Sequence, residues 1–71
     1  MNKLFKKKYG FTYKRCGKFY LWEAIINDKI VIIDSACDDK DVEKAINSAL
    51  YNIPSSEVAF DISTNTTYLI N

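Results

Sequence analysis

The 71-residue chain predicts a small α+β domain. The expected architecture is an antiparallel sheet in the order βββαββ, with one helix at about 39–52 packed on one sheet face. Three observations predict it. Val42, Ala45, Ile46, Ala49, Leu50 and Ile53 recur at the spacing of one apolar helix face. Phe19 to Asp34 reads as two strands around Asn27-Asp28. Val58/Phe60/Ile62 and Thr66/Tyr68/Ile70 alternate with period two on either side of a polar turn. The length suits one domain, read as a basic N-terminal arm over 1–8 and a single α+β domain over 9–71.

Taken in chain order, Tyr9 to Lys14 alternates aromatic and non-aromatic residues, and Cys16-Gly17 turns it back. That register pairs Tyr13 with Tyr20 and Phe11 with Trp22. Asn and Asp both tolerate positive φ, so Asn27-Asp28 suits a two-residue hairpin turn. It sets Ile25 opposite Ile30, Glu23 opposite Ile32, and Trp22 opposite Ile33. Strand side chains alternate between faces, so Tyr9, Phe11, Tyr13, Tyr20, Trp22, Ala24, Val31 and Ile33 share one face. That face is expected to be the core under the helix. Asp38 is the natural helix N-cap, with Asp41 and Glu43 near the positive end of the dipole. Pro54 ends the helix at or before Ile53. A three-residue loop, Ser63-Thr64-Asn65, closes the last hairpin and puts both of its triplets on one side.

The opposite sheet face carries Thr12, Phe19, Leu21, Glu23, Ile25, Ile30 and Ile32. One helix cannot cover both faces. This second face therefore needs the C-terminal hairpin, a second subunit or a partner to cover it, because exposed apolar patches of that size are uncommon on monomers.

Composition excludes several function classes. There is no His, the commonest general base, and two Gly are too few for a phosphate-cradling loop. Cys16 and Cys37 alone cannot complete a four-ligand zinc site. The acidic run Asp34, Asp38, Asp39 and Asp41 lacks the spacing of a calcium loop and reads as helix capping. The expectation is a protein that is not an enzyme and uses neither metal nor cofactor. The basic start is not followed by an apolar h-region, and no apolar run approaches the roughly 20 residues of a membrane span. These features point to a cytoplasmic protein with reduced thiols, making no use of membrane. Abundant Ile, Lys, Asn, Tyr and Phe have AT-rich codons, which suggests an AT-rich bacterium or one of its phages.

The net charge of +1 averages two unlike parts. Residues 1–22 hold Lys3, Lys6, Lys7, Lys8, Lys14, Arg15 and Lys18 with no acid, a charge of +7. The remainder holds three lysines and nine acids, a charge of −6. Such asymmetry points to nucleic acid, a membrane surface or an acidic protein partner. The candidate partner-binding residues are the cations Lys6, Lys7, Lys8, Lys14, Arg15 and Lys18 and the apolar Phe19, Leu21, Ile30 and Ile32. Together they predict a small non-catalytic module. It docks on a protein or nucleoprotein partner and modulates or inhibits it by occlusion, as phage or mobile-element inhibitors do. The same apolar face also suits a homodimer. The alternative is a DNA- or RNA-binding protein that grips phosphates with the basic arm and first hairpin tip.

Overall fold

The computed structural model describes residues 1–53 and 57–69. Two helices and five strands follow one another among them: α1 (Lys3–Tyr9), β1 (Thr12–Cys16), β2 (Phe19–Ile26), β3 (Lys29–Asp34), α2 (Asp39–Tyr51), β4 (Ala59–Asp61) and β5 (Thr66–Leu69). The strands form one sheet in the order β1-β2-β3-β5-β4.

The central part of the chain folds as its sequence predicts. Asn27 and Asp28 adopt φ of 53° and 61°, the two positive values a type I′ turn requires. Ile25 faces Ile30, Glu23 faces Ile32 and Trp22 faces Ile33. Asp38 caps α2 by accepting the Asp41 N–H at 2.9 Å. The helix ends at Tyr51 with Asn52 in the left-handed region as its C-cap. The hairpin turn also holds that helix end: Asn27 Nδ2 donates to the Ala49 and Leu50 carbonyls, and Lys29 Nζ donates to Ala49 O and Asn52 Oδ1. A cation among the last carbonyls complements the negative end of the helix dipole. Pro54 as helix terminator and Ile70 as a strand residue lie outside the described residues.

The predicted single helix and all-antiparallel sheet need correction. Residues Lys3–Tyr9 form α1, which takes in most of the segment read as an arm and Tyr9, read as the start of the first alternating segment. Asn2 caps it by accepting the Leu4 N–H, and Gly10 closes it at φ 72°, donating its N–H to Lys6 O. Phe5 and Tyr9, four residues apart, seat the helix on the core. The Asn2 N–H also donates to Asp39 Oδ1 at 3.0 Å, tying α1 to the start of α2.

The sheet is mixed because β5 pairs with β3 in parallel. α2 is part of the crossover that parallel neighbours need. The C-terminal hairpin thus widens the sheet at the β3 side and does not fold across its second face. Its loop spans 62–65, so Phe60 faces Thr67 and Asp61 faces Thr66. That is one residue away from the expected register, and a one-residue slip exchanges the faces. Thr67 and Leu69 point inward with Val31 and Ile33, and Tyr68 points to the other side.

The core lies between the sheet and the two helices. Val42, Ala45, Ile46 and Ala49 of α2 meet Ala24, Ile26, Val31, Ile33 and Leu69, with Phe11 and Cys37 completing the cluster.

Candidate functional site

Strand parity divides the candidate residues between two surfaces. Lys14, Phe19, Leu21, Ile30 and Ile32 project from the sheet face away from the helices, together with Ile25 and Tyr68. Among the described residues no element packs over this face. Ile25 is 72% exposed and Phe19 58%, while Leu21, Ile30, Ile32 and Tyr68 are half-buried by their strand neighbours. The result is an apolar sheet surface open to solvent.

That surface also carries charge, with Glu23 standing between Leu21 and Ile25 on β2 and opposite Ile32. Lys14 Nζ pairs with Glu23 Oε1 at 2.9 Å. Asp61 lies at the far edge, where the Ser63 N–H and hydroxyl both donate to its Oδ1. Those hydrogen bonds hold its carboxyl below the usual carboxylate range. Asp34 uses its own carboxylate to accept the Ala36 N–H at 2.9 Å.

The second surface lies on the helix side of the first hairpin, bordered by α1. Tyr13, Arg15, Tyr20 and Trp22 occupy two alternate rungs of the β1–β2 ladder that share a face, with Tyr13 opposite Trp22 and Arg15 opposite Tyr20. Sequence reasoning assigned these aromatics to the core; Trp22 does pack against it, but Tyr13 and Tyr20 need correction, being 53% and 43% exposed. Their shared face is as expected, but α2 lies chiefly over β3 and β5 and leaves the first hairpin projecting. The turn is Gly17-Lys18 and not Cys16-Gly17, which slides the β1–β2 register by two residues and preserves the faces. Gly17 alone carries positive φ there, at 64°, as expected for a turn with Gly at its first central position.

The aromatic rings touch one another. Tyr13 and Tyr20 are near-parallel, 12° apart in plane with centroids at 5.7 Å, and Tyr13 lies 4.8 Å from Trp22. Lys6 Nζ sits 5.3 Å from the Trp22 ring centre and the Arg15 guanidinium 5.7 Å from that of Tyr20. Arg15 Nε also donates to Gly17 O at 3.2 Å, which orients it along the hairpin tip. Lys18 is exposed in the turn, Lys7 is exposed on α1, and Lys8 lies against Tyr9. The ion pairs among the described residues are Lys14–Glu23 and Lys44–Glu57. Neither Lys6 nor Arg15 therefore faces a carboxylate within them.

The two thiols are free and unlike: Cys16 is exposed and Cys37 is buried. Burial pushes the Cys37 thiol above its ordinary value, and the nearby Asp34 and Asp41 carboxylates push it further. Its Sγ donates to Leu69 O at 3.7 Å. A cleft of about 270 Å³ at the end of α2 is lined by Lys29, Ser48, Asn52, Ile53, Phe60 and Thr67. Its one cation, Lys29, is already bonded to the helix terminus. Among the described residues no three His, Cys, Asp or Glu cluster closely enough to hold a metal. No helix among them is long and apolar enough to cross a membrane. No protein-family model, curated protein or solved structure matches the chain.

Proposed function

We propose that this chain is a non-catalytic binding module that docks on a protein or nucleoprotein partner through its open sheet face and acts by occluding the surface it covers. The observation that carries the reading is the solvent-open surface of Phe19, Leu21, Ile25, Ile30, Ile32 and Tyr68, with no described element over it. Contiguous apolar surface on a monomer marks an interaction site. A protein partner fits it because the surface is mostly apolar and carries charges of both signs, as protein interfaces do. The charges of Lys14, Glu23 and Asp61 would steer docking and fix orientation. A small inhibitor of the phage or mobile-element type would work in this way.

Ile25→Asp and Phe19→Asp test the proposal. Both side chains are mostly exposed, so both variants should keep the wild-type circular dichroism spectrum. Each should lose the protein partner that immobilised wild-type chain captures from nuclease-treated bacterial lysate. Undiminished capture by both folded variants would overturn the reading.

A second reading, nucleic-acid binding through the basic end, is favoured by a separate observation. Lys6 and Arg15 lie beside exposed aromatic rings and lack carboxylate partners among the described residues.

A further inference from the structure

The Tyr13/Tyr20/Trp22 patch poses a physical problem that the fold does not solve. Large aromatic side chains are normally spent on the core, where each removes a large apolar area from water. Here three adjoin on one sheet face, and while Trp22 packs against the core, Tyr13 and Tyr20 project past it. Cross-strand aromatic pairing stabilises a hairpin, which accounts for their contact with one another. It does not account for leaving the outer surfaces of Tyr13 and Tyr20 to solvent, or for placing a cation at each of the two rungs. Lys6 comes from α1 and Arg15 from β1, so two separate elements deliver positive charge to the same patch.

From this arrangement we infer a stacking site for unpaired nucleobases: Tyr13 and Tyr20 offer the flat surfaces, and Lys6 and Arg15, with Lys18 at the turn, meet the phosphates of a single-stranded nucleic acid. The inference rests on the second reading above and gives it a site. Base stacking on aromatic side chains requires exposed π surfaces beside a positively charged track, and both are present. An acidic peptide would use the cations but has no flat ring for the tyrosines. A duplex hides its bases from them. The site lies on the helix side of the sheet, apart from the open apolar face. Lys14, by strand parity, belongs to that other face and is already paired with Glu23.

Trp22 is the only tryptophan, and its ring lies 4.8 Å from Tyr13, so its fluorescence reports directly on the patch. The full chain is titrated with a single strand of ~12 nucleotides, within the usual site-size range. Oligothymidylate and oligouridylate are the two strand arms; a DNA duplex, heparin and polyglutamate are the comparisons. Saturable binding of either single strand with tryptophan quenching, tighter than to the duplex and both polyanions, supports the site. Tyr13→Leu and Tyr20→Leu should each weaken binding roughly 5- to 100-fold, and the Phe variants should restore it. Lys6→Gln and Arg15→Gln, surface changes with little risk to folding, should each lower the slope of log affinity against log salt by about 0.7.

Equal, salt-dependent binding to single strand and duplex, unchanged in the Tyr→Leu variants, would overturn the stacking site and leave basic-end binding standing. Equal binding of polyglutamate with equal quenching would overturn it in favour of an acidic protein segment. Absence of any binding at low salt would overturn both the site and the second reading. Ile25→Asp should bind nucleic acid like the wild type, which separates this result from that of the docking face.

Discussion

On strand β3, Val31 and Ile33 are fully buried, yet Ile30 and Ile32, their neighbours along the same strand, are only half-buried. On β2, Ile26 is buried and Ile25, one residue before it, is 72% exposed. Residue type does not separate these positions, because isoleucine occurs on both sides. The separation comes from the number of layers. Two helices cover one side of the sheet, and none of the described elements covers the other. A two-layer domain with an apolar outer face carries its core face and the proposed docking face on opposite sides of the same strands.

The largest way to break that comparison is a matched pair of truncations. Ile33→Ala on the covered side should cost about 2–5 kcal/mol, the range for deleting a buried branched side chain. Ile25→Ala on the open side should stay within about 0.5 kcal/mol, as exposed substitutions do. Urea denaturation of both variants measures the difference. Equal losses would show that the open face is covered in solution.

The next test concerns the link between the central hairpin and α2. Asn27→Ala puts an alanine at positive φ and removes two donors from the helix carbonyls. It should cost about 1–2 kcal/mol without changing Trp22 fluorescence, since the Tyr13–Trp22 contact is made between β1 and β2, away from that turn.

A pH experiment sharpens the contrast between Cys16 and Cys37. Because the folded state holds the Cys37 proton more tightly, its contribution to stability is full below the ordinary thiol value of 9.0. That contribution is lost as pH rises through the higher folded value. Thermal melts should therefore show an alkaline loss that is smaller in Cys37→Ala. At neutral pH a thiol reagent should label Cys16 quickly and Cys37 only in urea. The smallest expected effect is that of Lys14→Ala. Its ion pair with Glu23 is largely solvated and should contribute below about 1 kcal/mol, fading with salt.

The sequence was most legible where local chemistry leaves one solution. Asn27-Asp28 demands a two-residue turn, so the β2–β3 register followed to the residue. Asp38 and the apolar spacing of α2 bounded that helix within one residue. The first hairpin slipped by two because Gly17 can occupy either turn position, and the choice depends on the strands it joins. The last hairpin slipped by one because Asp61 and Ser63 bond within the turn and lengthen the loop. The bracket of Asn2 and Gly10 around Phe5 and Tyr9 was a readable helix signal, masked by the run of lysines. The parallel pairing of β5 with β3 has no local signature, since either sheet edge could accept the strand. The same limit applies to the candidate surfaces. Parity placed Phe19, Leu21, Ile30 and Ile32 on the second face, but the exposure of Tyr13 and Tyr20 depends on how far α1 and α2 extend over the sheet.

The isoleucines themselves provide the most direct test that one face is covered and the other open. In a methyl NMR spectrum of the chain, a soluble paramagnetic agent should, among the isoleucines of β2 and β3, broaden Ile25 most and Ile30 and Ile32 to an intermediate degree. Ile26, Ile33 and Ile46 should be protected. Protection of Ile25, Ile30 and Ile32 equal to that of Ile33 would contradict the account, because the sheet would then have no free face with which to bind a partner.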